Sequence, residues 1–221
     1  MRRREDACGM TLIELIVVMA IIGVLAVVSA PMITHGVKTL VFLPKALLVN
    51  HTATEVMHQM IEGGPSSAGT QVQPIRGLRD AARYGTEPAI WCASPGLMLF
   101  RTSDHRCVML SLSAQAQLTR AIWSGPAMQP WTHSCGSPTG IASTETIPPE
   151  PPGSVQISAP TALFRYYNQT GAPLALSGCG ALLAANVRRV EIEFVAQTGN
   201  GNFDQGEARE QVLSSVAIRV P

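Results

Sequence analysis

With 221 residues the chain is long enough for one compact domain and an appendage, and short for a two-domain enzyme. Its 16 basic and 15 acidic side chains nearly cancel and make up only 14% of the chain, so no global field directs it to nucleic acid or an acidic surface. A mean hydropathy of +0.19 leans toward a membrane instead.

The chain opens on a basic cluster, Arg2, Arg3 and Arg4, beside Glu5 and Asp6. From Met10 to Ile33 follows MTLIELIVVMAIIGVLAVVSAPMI, whose one charge is Glu14. As a helix this run spans about 36 Å, enough to cross a hydrocarbon core of about 30 Å. The arginines ahead of it place the N-terminus on the cytoplasmic side, and everything after the run on the outer side.

Three simpler readings compete with a specialised segment. A secretory signal has a small-residue site at Val28-Ser29-Ala30, but Pro31 follows at once and distorts the scissile position. A plain anchor gains nothing from Glu14, whose carboxylate costs about 2.5 to 3.5 kcal/mol on insertion scales. A lipoprotein site at Ala7-Cys8-Gly9 lacks an apolar region ahead of Cys8. Opposite a buried ammonium, by contrast, the same carboxylate forms an ion pair at low dielectric and sets the register between chains.

Gly9-Met10-Thr11-Leu12-Ile13-Glu14, followed by the apolar run to Ala30, resembles the prepilin leader and N-terminal helix of type IV pilins and type II secretion pseudopilins. The resemblance implies a cut between Gly9 and Met10 by the prepilin peptidase, N-methylation of Met10, and pairing of Glu14 with the terminal amine of a neighbouring subunit. The family more often has Phe where Met10 stands. Gly23 and Pro31 sit where pilin helices often carry helix-loosening residues, and Pro31 removes a backbone donor, so either local melting on assembly or a static kink is open. Losing residues 1–9 would take away three basic and two acidic side chains and leave thirteen of each.

Beyond Ile33 the apolar positions Val37, Leu40, Val41, Leu47, Leu48, Val56, Met57, Met60 and Ile61 keep helical spacing up to a stop at Gly63-Gly64-Pro65. The helix is predicted to run on into a head and offer that stripe to a sheet, with Pro44 kinking or breaking it. From about Ala89 the composition turns to short strands: Leu97 to Arg101, Cys107 to Leu112, Gln117 to Trp123, Ala162 to Tyr167, Val187 to Ala196 and Gln211 to Val220. Turn-rich segments between them predict an antiparallel sheet. Val190, Ile192 and Phe194 alternate with Arg189, Glu191 and Glu193, the pattern of a half-buried strand. The Pro-rich stretch from Ile147 to Gly153 reads as an exposed connection.

The predicted fold class is therefore α+β and pilin-like: a long N-terminal transmembrane and stalk helix packed on a C-terminal antiparallel head. Its divisions are a leader over 1–9, an assembly helix over 10–34, a stalk over 35–63 and a head over 64–221. Gln117 to Arg120, Phe164 to Gly171 and the final Val216 to Arg219 resemble the heads of J-type minor pseudopilins and related minor pilins, which implies a subunit at filament initiation or the tip. The resemblance further implies other pilins, the prepilin peptidase and an inner-membrane assembly platform as partners. It places the chain in a bacterial inner membrane as a single-pass protein, then in a periplasmic or extracellular filament.

Apart from Cys8 there are four cysteines, Cys92, Cys107, Cys135 and Cys179. In an exported head they allow two disulfides in any of three connectivities, or four buried thiols; without a C-x-x-C pair they do not suggest zinc. His51 and His58 share a helix face but lack a third ligand. Asn200-x-Asn202-x-Asp204-x-Gly206-Glu207 imitates a calcium loop, yet its glycine falls one residue late and its bidentate acid is missing, so a polar hairpin fits better. Arg76, Arg79 and Arg83 would form a phosphate-touching stripe on a helix, against which Gly77 and Asp80 favour a solvated face. No catalytic motif is present, and neither an enzyme activity, a cofactor nor a metal is expected. The alternative function is an exported binding module for DNA or a surface, although nucleic acid is not the expected partner.

Overall fold

The apolar N-terminal run and the stalk stripe fold as one element. In the computed structural model, which describes residues 11–64, 75–83, 88–104, 106–113, 117–123, 135, 143–147, 155–179, 186–199 and 207–218, helix α1 extends over Leu12–Ile61. At about 1.5 Å per residue it is about 75 Å long. Pro31 and Pro44 each lack the donor of one helical bond, but α1 continues through both, so of the kink or break expected at Pro44 the break does not occur. The predicted stop holds: Glu62 caps α1 through its N–H to His58 O, and Gly63 takes a left-handed φ of 91°.

The helix turns directly into a short ladder of β1 (Gly63–Gly64) and β2 (Ile75–Arg76). Backbones here touch where no side chain fits. A Cβ on Gly63 would lie 1.8 Å from Ile75 O, and one on Gly77 2.3 Å from Ile61 O. Gly63→Ala should therefore destabilise the head by about 2 kcal/mol or more. Gly64→Ala, whose nearest neighbour would be Gln59 Cγ at 3.3 Å, should cost much less. Thermal unfolding of the two variants checks the difference.

Eleven further strands follow among the described residues: β3 (Ile90–Ala93), β4 (Leu97–Arg101), β5 (Cys107–Leu112), β6 (Leu118–Trp123), β7 (Ser143–Ile147), β8 (Val155–Ser158), β9 (Phe164–Tyr167), β10 (Pro173–Leu174), β11 (Gly178–Cys179), β12 (Arg189–Thr198) and β13 (Arg209–Ala217). Every pairing is antiparallel, as predicted, but the head divides into two larger sheets rather than one. One is a meander from β3 to β7 with β11 added at its edge. The other has β12 as its spine, with β13 along one side and β8 and β9 end to end along the other. β10 extends it beyond β9.

Helix α1 packs on β12, β13 and β8. Phe42, Ala46, Val49, Ala53, Val56 and Met60 lie on the side of the helix that meets the core, and Val190, Ile192 and Phe194 answer from β12. The inner face of the meander, with Met98, Phe100, Val108, Leu110, Leu118 and Ile122, joins the same core. A smaller cluster of Cys92, Leu99, Cys107, Ala121 and Cys135 lies apart from it. The two sheets are tied at the β3–β4 turn: Tyr166 donates its hydroxyl to Ser94 O at 3.1 Å, and Leu163 N bonds Pro95 O at 2.7 Å. Burial pushes the Tyr166 phenol well above its ordinary pKa, so it stays a donor throughout the usable pH range.

Candidate functional site

The predicted processing residues Gly9 and Met10 lie outside the described residues; the assembly residue Glu14 is in the first turn of α1. Thr11 is extended at the N-cap, and its Oγ1 accepts from Glu14 N at 3.4 Å. Glu14 Oε2 in turn accepts from Thr11 N at 2.9 Å and from Thr11 Oγ1 at 3.0 Å. This reciprocal capping box satisfies donors that a helix start in lipid would otherwise leave bare. The second oxygen, Oε1, accepts no hydrogen bond among the described residues. Glu14 therefore serves its own helix with one oxygen and keeps the other open.

Around it, every residue from 11 to 37 is exposed. The apolar exposure does not end where a bilayer would: Val37, Leu40, Val41, Leu43 and Leu47 remain 50–75% exposed. Of the predicted stalk stripe, only the later part, Val56, Met57, Met60 and Ile61, is buried on the head, with Leu48 half-buried. From Leu12 to Leu47 the exposed apolar surface runs for about 54 Å, against about 30 Å of hydrocarbon. Past Leu47 the outward positions become His51, Thr54, His58 and Glu62, all polar and exposed. Gly23 and Pro31 both lie within the continuous helix, and a Cβ on Gly23 would meet nothing within 4 Å.

The four cysteines form two disulfides, Cys92–Cys179 and Cys107–Cys135, which resolves the open connectivity. The second closes a separation of 28 residues and contributes about 3.5 kcal/mol on the loop-entropy account. Cys107 and Cys135 are fully buried, whereas Cys179 is exposed and Cys92 is not.

The basic stripe considered for phosphate does not form. Ile75–Arg76 is a strand and Leu78–Asp80 a single 3-10 turn; Arg76 pairs with Asp80 at 3.2 Å, and Arg79 with Glu62. His51 and His58 are exposed on α1, and no His, Cys, Asp and Glu cluster among the described residues suits a metal. The Asn200 to Gly206 part of the calcium-like segment lies outside the described residues, as does the Pro-rich stretch from Pro148 to Gly153.

Sequence reasoning missed one polar site in the core. Arg120 and Glu145 face each other across β6 and β7, at 2% and 8% exposure, with Arg120 Nε and Nη2 both 2.5 Å from Glu145 Oε1. Glu193, which the alternation sets on the polar side of a half-buried strand, is 8% exposed and held by Arg165 at 2.6 Å and Gln211 at 2.7 Å. The only signal for the first was the placement of Arg120 between Leu118 and Ile122 at a spacing of two.

Residues 6–30 match the model of the prokaryotic N-terminal methylation motif. No curated protein and no solved structure matches the chain. The chain thus carries the prepilin-type signal of type IV pilins and pseudopilins, which prepilin peptidase processes, on an apolar helix suited to membrane anchoring. That signal points to a structural subunit rather than an enzyme.

Proposed function

We propose that the chain is a minor pilin or pseudopilin of the inner membrane, with a cytoplasmic leader over 1–9, a spanning segment over 10–34 and a stalk and head on the outer side. It is cut between Gly9 and Met10, methylated at Met10, and co-assembles with other pilins on an inner-membrane platform into a type IV pilus-like or type II secretion filament. The head, large for a pilin, favours a place at initiation or the tip.

The observation that carries this reading is the surplus of exposed apolar helix. A plain anchor needs about 30 Å of apolar surface, and α1 exposes about 54 Å. Lipid covers the first part; the face formed by Val37, Leu40, Val41 and Leu47 lies beyond it and needs the helix of a partner. Glu14 Oε1, to which no described residue donates, adds a second reason, since a neighbour's terminal amine could donate to it. The rival reading, a DNA-binding head, loses support because Arg76 and Arg79 are engaged by acids.

The test is intact mass and N-terminal peptide analysis after expression with a prepilin peptidase. A chain beginning at N-methylated Met10 is the expected product. A chain beginning at Pro31 overturns the assignment, because it would have lost Glu14 and most of the apolar run.

A further inference from the structure

The segment from Pro173 to Cys179 crosses from one sheet to the other. It begins as β10, paired with β9, and ends as β11, which meets the meander through two residue pairs, Gly178 with Ala93 and Cys179 with Cys92. Between them Leu174 and Leu176 turn half-buried toward the main core, while Pro173, Ala175, Ser177 and Cys179 are exposed. Beside this crossing lies an apolar pocket of about 480 Å³, lined by Leu174 and Leu176 together with Pro95, Phe164 and Tyr166. A two-residue strand is weak on its own, so the Cys92–Cys179 disulfide is the main restraint on the segment's far end.

The two disulfides differ in access. Cys107 and Cys135 are both at 0% exposure, and a thiolate has no approach to either sulfur. Cys179 is exposed on an edge strand, while its partner Cys92 is buried at 6%. Exchange depends on such access, and exposed disulfides are the labile ones.

We propose that residues 173–179 form a redox-held strap: a dithiol reductant opens Cys92–Cys179 selectively, frees β11 from β3, and widens the cavity at the seam between the sheets. One thiolate of the dithiol attacks Cys179 Sγ, the bond to Cys92 Sγ breaks, and Cys92 leaves as a thiolate that takes up a proton. The second thiol of the reductant then displaces Cys179 from the mixed disulfide. Two electrons and two protons pass to the cysteine pair, and the reductant becomes its own disulfide. Cys107–Cys135 stays closed, so the core of the head is retained while the strap moves.

The experiment treats the full chain in detergent with reduced dithiothreitol under native conditions and quenches with an alkylating agent, followed by peptide mass analysis and hydrogen exchange. Cys92 and Cys179 should label about tenfold faster or more than Cys107 and Cys135, and amide exchange should rise in 174–179 but not in β12. Equal labelling of both pairs, or resistance of Cys92–Cys179, overturns the selectivity. Selective reduction without faster exchange in the strap overturns the latch. Cys179→Ser supplies the independent arm: it should show the same local increase without any reductant, with an unchanged circular dichroism spectrum, and protection equal to that of the unmodified chain would refute the proposal.

Discussion

Glu14→Ala is expected to leave membrane insertion intact and cleavage after Gly9 in place, while abolishing association with partner pilins. Removing the carboxylate lowers the cost of placing the helix start in lipid, so the variant should enter the membrane at least as readily as the parent. At an interface in lipid, losing one member of a buried ion pair costs about 3 to 5 kcal/mol, which weakens association about a hundredfold or more. Glu14 also caps α1 through Thr11, so alanine alone confounds two roles. Glu14→Gln separates them, because an amide oxygen can still complete the capping box but carries no charge. If the ion pair drives assembly, Gln fails as Ala does. Normal co-purification of either processed variant with partner pilins would sink the argument.

The second large effect lies in the head. Glu145→Ala should lower stability by about 3 to 5 kcal/mol, because it leaves the Arg120 guanidinium buried without its carboxylate. For a chain of this size that corresponds to a fall in Tm on the order of 10 °C, read from tryptophan fluorescence or near-ultraviolet circular dichroism. Arg120→Met combined with Glu145→Leu should recover much of the loss, since both positions lie beside apolar neighbours, Leu118, Ile122 and Ile147. A double variant as unstable as Glu145→Ala would show that Arg120 has a structural role beyond this pair.

Several strands were legible because their apolar residues are bulky and bounded by turns. Leu97–Arg101 and Cys107–Leu112 have the predicted bounds. Phe164–Tyr167, Arg189–Thr198 and Arg209–Ala217 shift by two or three residues at one or both ends, where pairing partners and not composition decide the limit. Ser143–Ile147 escaped notice because four of its five residues are polar, and its place in the core depends on Glu145 finding Arg120. Ile90–Ala93 and Val155–Ser158 are too short for a period of two to stand out.

By itself the sequence determined the outline of the chain: an apolar N-terminal run with one carboxylate, a helix stop at Gly63, and an antiparallel head. These follow from hydrophobic periodicity, glycine and proline chemistry and the cost of charge in lipid, all of which act within a few neighbouring residues. Only the tertiary structure decided that Pro44 is carried within an unbroken helix, that the head has two sheets, which cysteines join, and that Arg76 and Arg79 turn to acids rather than form a stripe. The division into sheets and the cysteine pairing depend on which distant residues meet. A chain's local pattern restricts such meetings, but the packing of α1 against β12 and β13, and the seam between the sheets, select among them.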